Sequence, residues 1–187
     1  MKGTFIIPDD LTPYQYLQQT ALLERGGEYP MICKYSSEPS DPLLDTRINR
    51  IAQPRGFAMK LFDVHGIMFK ASKDFSTQDI EFNGTLALDL ADAKITKGII
   101  RLRMKYGAEP NELDTLLGAR KDAELQRARC KVRNTHLESI RFCSQIADRF
   151  GDYDSKHNFA PSGDSQTQRA EESVDGHPND VLHERLR

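Results

Sequence analysis

The order of extended and helical segments is the feature that most constrains the fold of this chain. Apolar and aromatic runs typical of strands occupy residues 3–8, 30–36, 56–63 and 79–90. Helical periodicity begins only after residue 92. Strands that come first and helices that come second indicate an α+β fold, built on an antiparallel sheet or on part of a barrel. The proline-rich stretch 38–54 is predicted to be a loop.

Cap residues predict two helices with clear starts. Thr12 followed by Pro13 is typical of a first helical turn, and that helix is expected to run on to Gly26. Asp92 is predicted to cap a second helix that ends at Gly107.

Two more helices are predicted further along the chain. One runs from Pro110 to about Val132, with Arg120 and Glu124 spaced for an ion pair. Thr135 and Glu138 form a capping box for the last helix. Its apolar face would hold Leu137, Ile140, Cys143, Ala147 and Phe150, and Gly151 would end it. A final strand is predicted over 152–160.

Composition divides the chain into a core domain, residues 1–161, and a polar tail, residues 162–187. The tail is rich in Ser, Asp, Gln, Glu and Arg, a composition that favours disorder. Leu182 and Leu186 lie four residues apart and suggest a short helix that needs a partner to pack against.

The net charge and the absence of recognisable targeting signals indicate which partners and which compartment to expect. The net charge of −2 favours neither nucleic acid nor a membrane as the main partner. No apolar run reaches the roughly 18 residues of a membrane span. Neither a signal peptide nor a peroxisomal C-terminal tripeptide is recognisable, and the three cysteines form no paired motif. A reduced, cytoplasmic setting is therefore expected.

Local motifs alone identify no catalytic chemistry. None of the five histidines pairs at His-x-x-x-His spacing, so no metal site is predicted from them. A basic run could contact a phosphate backbone, but a solvated helix face is the more frequent role of such a run. It comprises Lys94, Lys97, Arg101, Arg103 and Lys105.

Five segments in order nevertheless resemble the catalase superfamily, in particular a catalase-like branch found in fungi. They begin at Tyr29, Pro54, Asp79, Arg149 and Val181. The second, Pro54-Arg55-Gly56-Phe57-Ala58-Met59-Lys60, is similar to a family signature at nearly every position. The resemblance spans almost the whole chain and implies a partial catalase-type antiparallel β-barrel with helical insertions.

The resemblance also implies a haem b cofactor and four site residues. Asn83 matches the asparagine that hydrogen-bonds peroxide, and Ser36 matches the serine that supports the distal histidine. Lys34 replaces an arginine that meets a haem propionate, and Arg55, a signature residue more structural than catalytic, is assigned with it to cofactor binding. Ser36 and Asn83 are expected at inward-facing positions of neighbouring strands.

Two departures from the family leave three functions open. The family's distal histidine lies before the strand that starts at Lys2, and its proximal tyrosine lies beyond Arg187, which implies truncation at both ends. The chain is then a haem-dependent protein acting on hydrogen peroxide or an organic substrate, a non-enzymatic remnant, or a binding module completed by another chain. Unpaired strand edges would favour a homo-oligomer.

Overall fold

A computed structural model describes residues 1–37, 55–66, 76–88, 90–128, 135–174 and 181–186. The fold is α+β, as predicted, and its main element is a curled, six-stranded antiparallel sheet that forms a half-barrel. Its strands in spatial order are β1 (Lys2–Ile7), β2 (Gly27–Ser37), β3 (Arg55–Phe62), β4 (Thr77–Asn83), β5 (Phe142–Cys143) and β8 (Asn158–Phe159). A separate hairpin joins β6 (Asp148–Phe150) to β7 (Tyr153–Ser155).

Five α-helices accompany the sheet in the described part of the chain. They are α1 (Ala93–Tyr106), α2 (Pro110–Gly118), α3 (Ala123–Ala128), α4 (Asp164–Arg169) and α5 (Val181–Arg185). Helix α1 begins as the sequence predicts, because an Asp92 side-chain oxygen accepts a hydrogen bond of 2.8 Å from the Ile95 backbone N–H. It ends at Gly107, also as predicted. Within these residues, no helix combines the length and the apolar character that a membrane crossing requires.

Strand alternation gives the central three strands two chemically different faces. Cross-strand partners share a face, so the register of β2, β3 and β4 places whole rows of side chains together. We call one side the core face; its rows are Tyr35–Phe57–Phe82 and Cys33–Met59–Ile80. We call the other side the polar face; its rows are Ser36–Gly56–Asn83, Lys34–Ala58–Glu81 and Ile32–Lys60–Asp79.

An aromatic cluster centred on Phe57 fills the core face. The Phe57 ring stacks on Phe159 at 4.3 Å between centroids and lies 4.9 Å from Tyr35 and 5.6 Å from Phe142. Phe57 is only 2% exposed. Aromatic packing of this kind adds to the burial of apolar area, so Phe57 anchors the sheet.

The first predicted helix is wrong, because the chain forms two short 3-10 turns instead, Thr12–Leu17 and Ala21–Leu23. Leu11, not Thr12, is the N-cap residue and offers no side-chain cap, and Tyr14 leaves helical geometry with φ −125°. Leu22 is buried in the core. Packing against the sheet therefore decides this segment over its helical spacing.

Two predicted elements are shorter than expected. Strand β4 ends at Asn83, where the Gly84 N–H turns to donate to the Arg55 carbonyl at 2.8 Å, so Gly84 follows the strand instead of lying within it. Among the described residues, the helix predicted from Pro110 is split into α2 and α3. Arg120, between them, pairs with Asp122 at 2.7 Å and not with Glu124 as predicted. That guanidinium holds the pKa of the Asp122 carboxyl below its usual value.

The helix predicted over 135–151 is also wrong, since this segment forms a 3-10 turn, strand β5 and strand β6. Cys143 pairs in register with Asn83, and Gly151 forms the β6–β7 turn with φ +60° instead of ending a helix. The single strand predicted over 152–160 is only partly confirmed, because the segment forms two short strands, β7 and β8, in different sheets.

The predicted disorder of the tail is wrong for its described residues. Val174 is fully buried, and Val181 and Leu182 belong to the same core cluster as Phe57. The predicted short helix around Leu182 is confirmed as α5, and the main core is the partner that it needs. The Thr135 hydroxyl, predicted as a helix cap, instead donates to carbonyl oxygens of this tail. The predicted loop 38–54 lies outside the described residues.

Candidate functional site

A cavity of about 820 Å³ lies over the polar face. Three of the four sequence-predicted site residues line it: Lys34 and Ser36 from β2, and Asn83 from β4. Asn83 lies 47 residues after Ser36 and 49 residues after Lys34 in the chain. The sheet register brings the three residues together. The volume falls in the range of about 300 to 1,000 Å³ that small-molecule sites occupy.

Gly56 forms the floor between Ser36 and Asn83. The register aligns Ser36, Gly56 and Asn83 across three strands. With strands spaced about 4.8 Å apart, the Cα atoms of Ser36 and Asn83 lie about 10 Å from each other. A Cβ added at Gly56 would approach the Ser36 Oγ to 2.5 Å, so only glycine leaves the serine hydroxyl in this position.

Ala58 extends this floor by one row, between Lys34 and Glu81. Its methyl group is the smallest side chain that a non-glycine residue can place there. Taller side chains therefore stand on both sides of a shallow channel over β3, with Lys34 and Ser36 on the β2 side and Glu81 on the β4 side. All three of these are exposed, so the channel is open to solvent.

An amide network fixes the orientation of Asn83. Its Nδ2 donates to Gln145 Oε1 at 3.2 Å, while Gln145 Nε2 donates to the Thr85 hydroxyl at 2.6 Å and to the Ala87 carbonyl at 3.2 Å. These half-buried, mutually paired groups hold the Asn83 side chain in one arrangement. Asn83 keeps its second amide hydrogen and its carbonyl oxygen for a ligand.

The upper wall of the cavity comes from residues that the sequence reasoning did not select for this site, although Arg103 belongs to the basic run noted above. Leu88 and Leu90 follow β4, Arg103 comes from α1, and Ile146 and Asp148 follow β5. Arg103 also donates from Nη2 to Gln126 Oε1 at 3.4 Å. These residues lie in segments that carry no family motif, and only the folded arrangement places them over the polar face.

The structure does not bring Arg55 to this cavity. Arg55 occupies the alternate position to Gly56 on β3, so its side chain belongs to the opposite side of the strand, where it is 1% exposed. Its place beside Lys34 as a cofactor-binding residue is therefore not reproduced. Alternate residues of the signature that begins at Pro54 therefore lie on opposite faces of β3. Arg55 and Phe57 are buried, whereas Gly56 and Ala58 form the cavity floor.

The expected placement of Ser36 and Asn83, at inward-facing positions of neighbouring strands, is wrong on both counts. They share one face, but β2 and β4 are separated by β3 and are not neighbours. The face is the polar face, and not the inward face that holds the core. The reason is register, since Tyr35 and Phe82 occupy the core positions next to them and turn the polar residues outward.

The residues around the cavity do not fit an iron-bound haem. None of those that line it in the described part of the chain is a tyrosine, histidine or cysteine, the usual protein ligands of haem iron. No group of three His, Cys, Asp or Glu side chains suited to a metal ion occurs among the described residues. Tyr35 lies on the core face, where burial raises its pKa to about 12, with Cys33 and Glu138 adding to the shift.

The buried His136 takes part in a structural contact. Its Nε2 lies 3.3 Å from a Glu172 carboxylate oxygen, in the region where the tail packs against the 3-10 turn Leu137–Ser139. His136 does not line the cavity. The arrangement around the cavity thus offers hydrogen bonds, two cationic side chains and two carboxylates, which are means of holding a ligand.

Comparisons with known proteins give no family for this chain. No family model, no curated protein and no solved structure matches it.

Proposed function

We propose that this chain is a catalase-like binding module, a partial catalase-type barrel that binds a small polar molecule in the cavity over the polar face. One observation carries the proposal: Lys34, Ser36 and Asn83 meet around a single cavity of about 820 Å³. These are three of the four positions that the family resemblance selects. The glycine and alanine floor leaves room for a ligand between them.

Binding is better supported than turnover by the kinds of side chain present. Peroxide cleavage needs a base that moves a proton and an electron-donating ligand under the iron. Asn83 and Ser36 supply hydrogen bonds, each of order 1 kcal/mol net. Such groups orient a bound molecule, and the paired Asn83–Gln145 network holds that orientation in place.

Four probes with one benzene ring and different charges test the proposal: benzamide, benzoate, benzylamine and phenylalanine. We expect at least one of them to shift the backbone amide NMR signals of Ser36, Gly56 and Asn83. Ala58→Leu should abolish these shifts because the larger side chain fills the floor of the cavity. Lys60→Leu, two residues along the same strand face and outside the cavity lining, is the matched control and should retain them.

Two results would refute the proposed binding site. One is the absence of amide shifts with all four probes. The other is a set of shifts that Ala58→Leu leaves unchanged, because the probe would then occupy another surface.

A second candidate function is haem-dependent decomposition of hydrogen peroxide, or use of a peroxide to oxidise an organic substrate. Its support is that Asn83 and Ser36, matched to the peroxide side of a catalase pocket, line the same cavity as Lys34, matched to a haem-propionate contact. Titration with haemin, followed by oxygen release from hydrogen peroxide, separates the two candidates. The binding-module proposal predicts oxygen release no faster than with free haemin. A protein-bound Soret band with oxygen release that Asn83→Ala abolishes would favour the enzyme.

A further inference from the structure

The polar face carries two pairs of opposite charges, of which only one forms a salt bridge. Lys60 and Asp79 are direct cross-strand partners on β3 and β4, and they form a salt bridge of 2.6 Å. Lys34 and Glu81 belong to the next row of the same face, where they stand on either side of Ala58. In the part of the chain that the structure describes, neither of them forms an ion pair. The second pair is separated by a strand, and the gap lies inside the cavity.

Charge is segregated across this gap. Lys34 is the cation on the β2 side. Glu81 on β4 is the carboxylate on the opposite side of the floor, and a second carboxylate, Asp148 of β6, also lines the cavity. The remaining cation, Arg103, reaches the cavity from α1 and is already engaged with Gln126. A positive and a negative side chain, Lys34 and Glu81, thus stand on opposite sides of a neutral floor.

We infer that the cavity takes a zwitterion, a molecule with a carboxylate at one end and an ammonium group at the other, of the size of an amino acid or a short peptide. The carboxylate would face Lys34 and the ammonium group would face Glu81. Charge-assisted hydrogen bonds at both ends fix the direction of binding. This inference rests on the proposed binding function and names the ligand class of the same site.

The neutral parts of the cavity fit the rest of such a ligand. Ser36 and Asn83 offer both donors and acceptors one row from the charged pair, which suits an amide or carboxyl group. Leu88, Leu90 and Ile146 supply an apolar wall for a hydrocarbon side chain. A ligand that lacks either charge would leave one side of the channel without its counter-charge, and this is a source of specificity.

Phenylalanine and its two capped forms test the inference. N-acetylphenylalanine lacks the ammonium group, and phenylalaninamide lacks the carboxylate. Affinities measured from the amide shifts of Ser36, Gly56 and Asn83 should fall about tenfold with either cap, as expected for loss of one charge-assisted contact. Equal affinity of the capped and uncapped forms would overturn the zwitterion, while their binding in the cavity would leave the binding module intact.

Paired variants separate the two ends of the ligand. In Lys34→Met, phenylalanine and phenylalaninamide should bind equally, but acetylation should still weaken binding. In Glu81→Gln, the penalty for acetylation should shrink and the penalty for amidation should remain. Lys60→Met and Asp79→Asn, which alter the paired charges outside the cavity lining, should leave both penalties unchanged. If no probe binds at all, the binding module and the zwitterion both fall.

Discussion

The two faces of strands β2 to β4 share one backbone and differ in almost every property. The core face presents Phe57, Met59 and Leu61 from β3, each no more than 4% exposed. The polar face presents Gly56 and Ala58 from the same strand and carries the cavity. Residues adjacent in sequence therefore have separate roles. The core face stabilises the half-barrel, whereas the polar face carries exposed side chains that line the cavity.

Phe57→Ala should give the largest effect and tests the core face directly. Phe57 contacts four aromatic rings and is buried, so its truncation should lower the free energy of unfolding by about 3 to 5 kcal/mol. Such a loss is a large part of the roughly 5 to 15 kcal/mol free energy of unfolding of a typical domain. Chemical denaturation measures it. A loss below about 1 kcal/mol would mean that the aromatic cluster does not hold the sheet.

Leu182→Ala should cost somewhat less, about 2 to 4 kcal/mol. Leu182 lies in α5 and packs into the core cluster on the same side as Phe57, so the C-terminal segment covers the core face. His183→Ala, at an exposed position of the same helix, is the control and should change stability by about 0.5 kcal/mol or less. Equal effects of the two variants would show that α5 is not part of the core.

Alkaline pH should destabilise the core face through Tyr35. Burial raises the pKa of the Tyr35 phenol to about 12, from an ordinary value of 10.0. Between these values the unfolded chain loses the phenolic proton and the folded chain keeps it, so stability falls as pH rises through this window. Urea unfolding at about pH 9 and about pH 11 should show a smaller loss for Tyr35→Phe than for the parent. Identical losses in both proteins would contradict burial of this phenol.

Lys60→Met should have the smallest effect, a loss of about 0.2 to 1 kcal/mol. The Lys60–Asp79 pair is short but solvent-exposed, with 44% and 61% of the two side chains accessible. Added salt should weaken its contribution. Thermal melts of the parent and the variant at low and high salt measure the difference. A loss of several kcal/mol would mean that the polar face contributes to stability as strongly as the core face.

Segments with strong local signals were predictable from the sequence. The first four strands and α1, with its Asp92 cap, follow from side-chain pattern and capping chemistry. The segment 135–151 was not predictable in this way, because β5 is only two residues long and is defined by pairing with distant β4 and β8. Periodicity within a segment carries no information about contacts with distant strands. It therefore placed the exposed Ala147 on an apolar face and missed the fully buried Phe142.

The candidate site shows the same limit. Lys34, Ser36 and Asn83 were selected by resemblance to a family, and the register places them around one cavity. Arg55 was selected by the same resemblance but is buried on the opposite side of the sheet, because successive side chains of a strand point to alternate faces. Glu81 lies in a family-like segment but was not selected as a site residue, and neither Gln145 nor the apolar wall was selected. Strand phase predicts Glu81 beside Asn83, but only the fold reveals Gln145 as the partner of Asn83.

Two neighbouring substitutions on β3 test the division between the faces most directly. Phe57→Leu and Ala58→Leu create the same side chain one residue apart on opposite faces. Unfolding free energy and phenylalanine affinity should be measured for both. We expect Phe57→Leu to lose about 1 to 2 kcal/mol of stability with its affinity little changed. Ala58→Leu should abolish binding and keep nearly the parent stability. Parallel changes in stability and affinity in both variants would contradict the account.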